Sequence, residues 1–287
     1  MANLKEIRIR ISSVESTIQI TSAMKMVSTA KLKRAQDAII QLRPYANKLT
    51  EMLVNLSASL DSRDGNTFSK EREEKNILFV TITSNRGLCG GFNSNIIKRT
   101  SALIKQEFEK CNSSIISIGK KSSEYFPKNG FNVISTHDDL CNEITFDAVS
   151  EIAESIMNDF ANAKYDKVFL VYNQFKNAAT QIIMNENYLP VEMPEDESAT
   201  IGDYIFEPSK EEIVDVLIPK SLKTQLFKAI LDSHAAEHGA RMTAMHKATD
   251  NANDLKDDLT LFYNKARQAA ITGEILEIVG GAEALNG

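Results

Sequence analysis

The sequence predicts a mixed α/β fold: a long antiparallel coiled coil of N- and C-terminal helices, with an α/β domain inserted between them. Three observations lead there. The six prolines, at 44, 127, 190, 194, 208 and 219, leave both ends of the chain free of helix breakers over long stretches. Apolar residues at both ends recur at steps of 3 and 4, as in a coiled coil. The middle instead alternates short apolar runs with amphipathic stretches, the grammar of an α/β domain. A helix from Lys220 onward would be roughly 100 Å long at about 1.5 Å per residue, several times an ordinary domain. That implies a mechanical or scaffolding part.

The N-terminal helix is expected over residues 1–60. Its seam runs through Leu4, Ile7, Ile11, Val14 and Ile18, then Leu32, Ala35, Ile39 and Leu42, then Ala46, Leu49, Leu53, Leu56 and Leu60. Pro44 is expected to bend the helix or start a new turn. Between the clean stretches the seam positions are Thr21, Lys25 and Ser28. There the apolar residues move to Ile20, Ala23, Met24, Met26, Val27 and Ala30, on several faces. A helix apolar on several faces is usually enclosed, although a packing irregularity in an ordinary bundle gives the same pattern.

Residues 61–76 are polar and charged, as a linker is. Residues 76–190 form the inserted domain. Ile77–Thr83 reads as a strand buried on both faces. Helices are expected at 93–110, 120–126 and 146–161, and strands at 114–118, 131–135, 167–172 and 181–185. The alternation gives a Rossmann-like, parallel-type domain ending in a hairpin. Residues 191–219 are an acidic connection carrying three of the six prolines, mainly extended, with one possible strand near 204–206. The C-terminal helix, 220–287, pairs with 1–60. Its seam is small at Ala229, Ala236, Ala240, Ala244, Ala248 and Ala252, then larger at Leu255, Leu259 and Phe262. Small seam residues let two helices approach closely.

Charge is uneven. Residues 1–50 hold nine Lys or Arg against three acids, while the rest holds 24 against 36, for a net charge of −6. The balance argues against a general nucleic-acid binder, and the basic N-terminal face suits an acidic partner. No run of 18 apolar residues exists, so no membrane-spanning helix is expected. Cys89, Cys111 and Cys141 lack a C-x-x-C and read as reduced side chains.

Candidate chemistry is sparse. The loop from Ser84 to Asn93 follows a strand and opens a helix, where a nucleotide fold places its phosphate loop. Its glycines match neither G-x-G-x-x-G nor a Walker A loop, so a structural tight turn is the expectation and no cofactor is expected. Cys89 reads as a small buried residue. His234 and His238 are one turn apart, but no third ligand is evident, so a solvated face is expected and no metal.

The strongest signal is the stretch from Asn264 to Leu285. Ala266, Ala269, Ala270, Ile271, Ile275, Leu276, Ile278, Val279 and Ala282 read as apolar around the whole circumference, with Glu274, Glu277 and Glu283 the only charges after Arg267. Exposed to water, such a surface costs about 25 cal/mol per Å². It is expected to insert into a sleeve made by other subunits, since one partner helix cannot cover every face.

These residues resemble the gamma subunit of F-type ATP synthases, colinearly over almost the whole chain. The matching motifs are MANLKEIRIRISSVESTIQITSAMKMVSTAKLKRA, RPYANKL, ITSNRGLCGGFN, ARMTAMHKATDNA and YNKARQAAITGEILEIVGGAEAL. The resemblance implies the central stalk, turning inside a ring of three alpha and three beta subunits, with its foot on epsilon and the c ring. It implies that proton flow drives rotation, that nucleotides bind on the ring, and that this chain holds no catalytic residue. It places Met24 beside an acidic beta segment. Arg267 and Gln268 match a polar pair that catches a beta loop, and Arg241, Thr272, Glu274 and Glu277 match further interface positions. It also implies a peripheral subunit on the cytoplasmic side of a bacterial inner membrane, since no transit peptide is read and the regulatory cysteine insertion of chloroplast relatives is lacking. Two departures stand out. Asn85 replaces the usual Asp, which is expected to weaken a local salt link, and Gly239 replaces a frequent Ala, which is expected to loosen the helix. Two other classes stay open on the residues alone: a self-pairing coiled-coil adaptor, and a nucleotide-dependent enzyme built on the α/β domain.

Overall fold

A computed structural model of the protein describes residues 4–57, 67–191 and 210–286. The elements are α1 (Leu4–Ser57), β1 (Asn76–Ile82), α2 (Phe92–Ala102), β2 (Asn112–Ile118), α3 (Lys120–Lys128), β3 (Val133–Thr136), α4 (Phe146–Ala161), β4 (Lys167–Phe175), β5 (Gln181–Leu189) and α5 (Lys210–Asn286). They form two compact units, one of residues 1–27 and 242–287, the other of residues 28–241.

The larger unit is built on a five-stranded sheet in the order β3-β2-β1-β4-β5. β1 pairs in parallel with β2 and β4, β2 with β3, and only β5 runs antiparallel, closing the hairpin. The central strand β1 is almost entirely apolar because both its faces are covered. Leu78 and Val80 face Ile152, Ile156 and Phe160 of α4 and Leu222, Leu226 and Ala229 of α5. Ile77 and Phe79 cluster with Ile96 of α2, Leu103 just beyond its end, and Phe126 of α3. α4 has the expected bounds because Thr145 caps it, accepting a hydrogen bond from the Ala148 amide.

Several boundaries differ from the sequence reading. α2 gives way to a π turn at Leu103–Glu107, closed by the Phe108 amide donating to the Leu103 carbonyl at 3.0 Å. The extra residue in that turn brings Phe108 within 5.9 Å of Phe79 and 5.4 Å of Phe169, ring centre to ring centre. β5 continues past 185 because Glu186, Asn187 and Leu189 find partners in β4. Pro44 lies inside an unbroken α1. α5 starts at Lys210 and runs through Pro219, ten residues earlier than the sequence implied. Ile218 and Leu222, fully buried on the sheet, explain how it passes the proline. Two such burials contribute about 1.5–3 kcal/mol each, against about 3 kcal/mol for proline in a helix. The seam residue Leu60 and the possible strand at 204–206 fall outside the described residues.

In this unit Leu32, Ala35, Ile39 and Leu49 of α1 are buried, as are Ala229 and Ala236 of α5. The Lys220 ammonium sits 6.0 Å from the Tyr45 ring centre.

In the smaller unit, α1 and α5 run antiparallel. Arg8 donates to the Tyr263 hydroxyl at 2.7 Å, Lys256 pairs with Glu15 at 3.1 Å, and the hydroxyls of Thr21 and Thr249 are 2.8 Å apart. Ile7 is buried, whereas Ile9, Ile20, Met26 and Val27 stay exposed.

Candidate functional surface

The α5 segment beyond residue 260 carries the clearest surface feature of the smaller unit. Ile271, Ile275, Leu276, Ile278 and Val279 are between 48% and 71% exposed. At about 100° per residue these five span roughly 160° of the helix, with alanines on much of the remainder. Glu274 and Glu277 fall on the other flank, so the bulky face is broad rather than complete. Arg267, Gln268, Thr272, Glu274 and Glu277 are all exposed on this stretch. Leu255, Leu261 and Phe262 extend the exposed apolar surface toward the middle of the helix. Met24, on α1 of the same unit, is half-buried. A monomer rarely leaves such a patch in water unless a partner covers it.

Arg241 belongs to the larger unit and is 7% exposed. Its Nη1 pairs with Glu237, and its Nη2 donates to the carbonyls of Arg86 and Gly87 at 3.0 and 3.4 Å. The guanidinium therefore ties α5 to the loop after β1.

That loop is a tight turn held from within. The Ser84 hydroxyl donates to the Arg86 carbonyl at 2.6 Å, and the Ser84 amide to Asn93 Oδ1 at 2.9 Å. Leu88 and Gly90 both adopt positive φ, 62° and 59°. Cys89 is buried beneath the loop, and burial raises its thiol pKa. At the neighbouring β2–α3 turn, Gly119 has φ 99°, and a β-carbon there would lie 2.1 Å from the Thr83 carbonyl oxygen, so only glycine fits.

Asn85 has a role that the sequence did not reveal. Its Nδ2 donates to the Asp138 carbonyl at 2.8 Å, and its Oδ1 accepts from the Lys120 amide at 2.9 Å. It bridges two loops, and no salt link is required of it.

Gly239 is likewise a packing residue. A β-carbon there would lie 3.3 Å from Ala178 Cα and 3.3 Å from Phe175 Cε2, at the tip of the β4–β5 hairpin. Close approach, rather than a looser helix, accounts for it.

The histidines overturn their expectation. His238 is 5% exposed and His234 half-buried, with their Nε2 atoms 3.1 Å apart. They do not lie on a solvated face. Burial lowers the pKa of both, that of His238 to about 3, with Arg241 and Lys31 adding positive charge nearby. The small seam residues Ala236 and Ala240, which flank these histidines, were the sequence sign that this stretch is closely packed.

Comparison with known proteins shows the family. The sequence matches the ATP synthase family profile over residues 3–285. Chains named ATP synthase gamma chain from Christiangramia forsetii and Flavobacterium johnsoniae are 58% and 60% identical, covering all of this chain and all of each relative. The chain belongs to the ATP synthase gamma chain family. Solved structures share the fold. The central stalk and c ring structure of the Tetrahymena thermophila mitochondrial ATP synthase contains a chain that is 25% identical, with a TM-score of 0.60 over 80% of this chain and 99% of that one. The rotor of the Euglena gracilis mitochondrial ATP synthase gives a TM-score of 0.64 at 22% identity, over 93% and 98%. Among the described residues, no helix of this gamma family member is long and apolar enough to cross a membrane.

Proposed function

We propose that the chain is the central-stalk rotor subunit of an F-type ATP synthase, a peripheral subunit on the cytoplasmic side of a bacterial inner membrane. One observation carries the reading beyond family membership. The end of α5 holds five bulky apolar side chains in water, at 48% to 71% exposure among the described residues. A bearing of alpha and beta subunits, three of each, would bury that surface. At about 25 cal/mol per Å², burial of several such side chains stabilises insertion by several kcal/mol.

Rotation then acts through differential contact. Three equivalent catalytic sites can be driven apart only if the stalk contacts their conformations with different free energies. Arg267, Gln268, Thr272, Glu274 and Glu277 would present that asymmetric surface, with Met24 at a further contact, whereas Arg241, 7% exposed, is engaged inside the larger unit. The α/β domain would form the foot on epsilon and the c ring. Nucleotide chemistry belongs to the alpha/beta ring in this reading, and the chain supplies no catalytic residue.

The test is to tag the chain in its source cells, extract membranes gently and identify what co-purifies. Alpha, beta and epsilon recovered with ATPase activity support the stalk, and Arg267→Ala with Gln268→Ala should then lower coupled turnover. A homodimer without ATPase would overturn it.

A further inference from the structure

Arg241, His238 and His234 form a hydrogen-bonded line along α5, and its Arg241 end grips the loop after β1. Nη2 of Arg241 holds the carbonyls of Arg86 and Gly87, while Nη1 lies 3.4 Å from His238 Nδ1. Arginine carries donors only, so His238 Nδ1 accepts and its ring proton sits on Nε2. His238 Nε2 lies 3.1 Å from His234 Nε2, which therefore accepts in turn and leaves the His234 proton on Nδ1. The rings meet edge to face, with centres 4.5 Å apart. Both imidazoles are neutral, and both tautomers follow from connectivity.

An added proton has no place in this line. On His238 Nδ1 it would face the guanidinium, and on His234 Nε2 it would face the N–H of His238. The surrounding charges agree. Lys31 of α1 and Arg241 of α5 both disfavour a further positive charge, and Glu237, the opposing charge, is already tied to Arg241. From the loop, Cys89 adds a buried thiol whose pKa is raised. The converging Nε2 atoms are poorly suited to a shared metal, because His238 Nε2 keeps its proton and two cations stand nearby.

We infer that the His234–His238 pair is a proton-sensitive latch: a proton entering the pair breaks the line at Arg241 and frees the loop at 84–91 from α5. The latch does not depend on the stalk reading. The sign follows from linkage. The closed pair rejects the proton, whereas the opened pair accepts it with an ordinary pKa of about 6.5. The latch is therefore at full strength above about pH 6.5 and weakens as pH falls below that value. For one histidine, opening becomes about tenfold more favourable at pH 5.5 than at pH 7.5.

Hydrogen exchange on the full-length chain tests this at those two pH values, after correction for intrinsic exchange. The reporters are the Ser84 amide, bonded to Asn93 Oδ1, and the Phe92 amide, bonded to the Cys89 carbonyl. Protection of both should fall about tenfold at the lower pH in the native sequence and stay level in the double variant His234→Gln, His238→Gln. Level protection in the native sequence, or an equal fall in the double variant, overturns the latch. If the variant does not fold, imidazole nitrogen NMR of the native chain decides. A bare Nδ1 on His238 with a protonated Nδ1 on His234 is expected at neutral pH, and the reverse tautomers overturn the proposal.

Discussion

The hydroxyls of Thr21 and Thr249 lie 2.8 Å apart, joining α1 to α5 within the smaller unit. Each also bonds a carbonyl of its own helix, Thr17 for Thr21 and Met245 for Thr249. One hydroxyl donates across the interface, and the other donates to its own turn. Replacing either threonine by valine should cost about 1 kcal/mol, and replacing both should cost less than the two single losses together. Denaturant unfolding of the four chains measures this. Losses that add to within about 0.3 kcal/mol would show that the two hydroxyls do not interact.

Gly239 should tolerate little. An alanine gains about 1 kcal/mol of helix propensity but crowds Ala178 and Phe175, so Gly239→Ala should come out near neutral. Gly239→Leu must push the hairpin away and should cost more than about 2 kcal/mol, as overpacking does. Thermal unfolding of both variants decides. An alanine variant with the whole propensity gain would mean the hairpin yields freely.

Asn85→Asp should destabilise the larger unit by about 1–2 kcal/mol. The carboxylate can still accept from the Lys120 amide, but it has no donor for the Asp138 carbonyl. Unfolding at neutral pH reads the loss, and a gain in stability would contradict the bridging role.

At the α5 tip, Ile278→Lys separates folding from assembly. Ile278 is 71% exposed, so the isolated chain should change by no more than about 0.5 kcal/mol. Assembly with alpha and beta subunits should weaken clearly, as read by co-purification and ATPase recovery. Unchanged assembly would remove the tip from the bearing.

Thiol reactivity should rank the cysteines. Burial pushes the Cys141 thiol up to about 12 and raises that of Cys89, while Cys111 is half-exposed. Iodoacetamide at about pH 8 should modify Cys111 first in the native chain, because the thiolate is the reacting species. Peptide mass spectrometry follows the order, and prior labelling of Cys141 would contradict it.

How much of this was legible in the sequence differs from element to element. The apolar run of β1, the helix at Phe146–Ala161 and the apolar stretch around Ile271–Val279 were readable, because hydrophobic period is a local property. The family motifs pointed to the surface at Arg267, Gln268, Thr272, Glu274 and Glu277. The π turn after Ala102 was not readable, since it exists to bring Phe108 to Phe79 and Phe169, far apart in sequence. Nor was the passage of α5 through Pro219, which rests on burial of Ile218 and Leu222 against the sheet.

By itself, then, the sequence determined the order and type of most elements, the apolar run of β1, and the family to which the chain belongs. Only the tertiary structure decided what Arg241, His238, Asn85 and Gly239 do. Arg241 meets the Arg86 carbonyl across 155 residues, and Asn85 meets the Asp138 carbonyl across 53. Periodicity reports that a residue is polar or small at a given helical position. It does not report which distant backbone group arrives there, and for a buried polar side chain that arrival determines its charge state, its partner and its effect on stability.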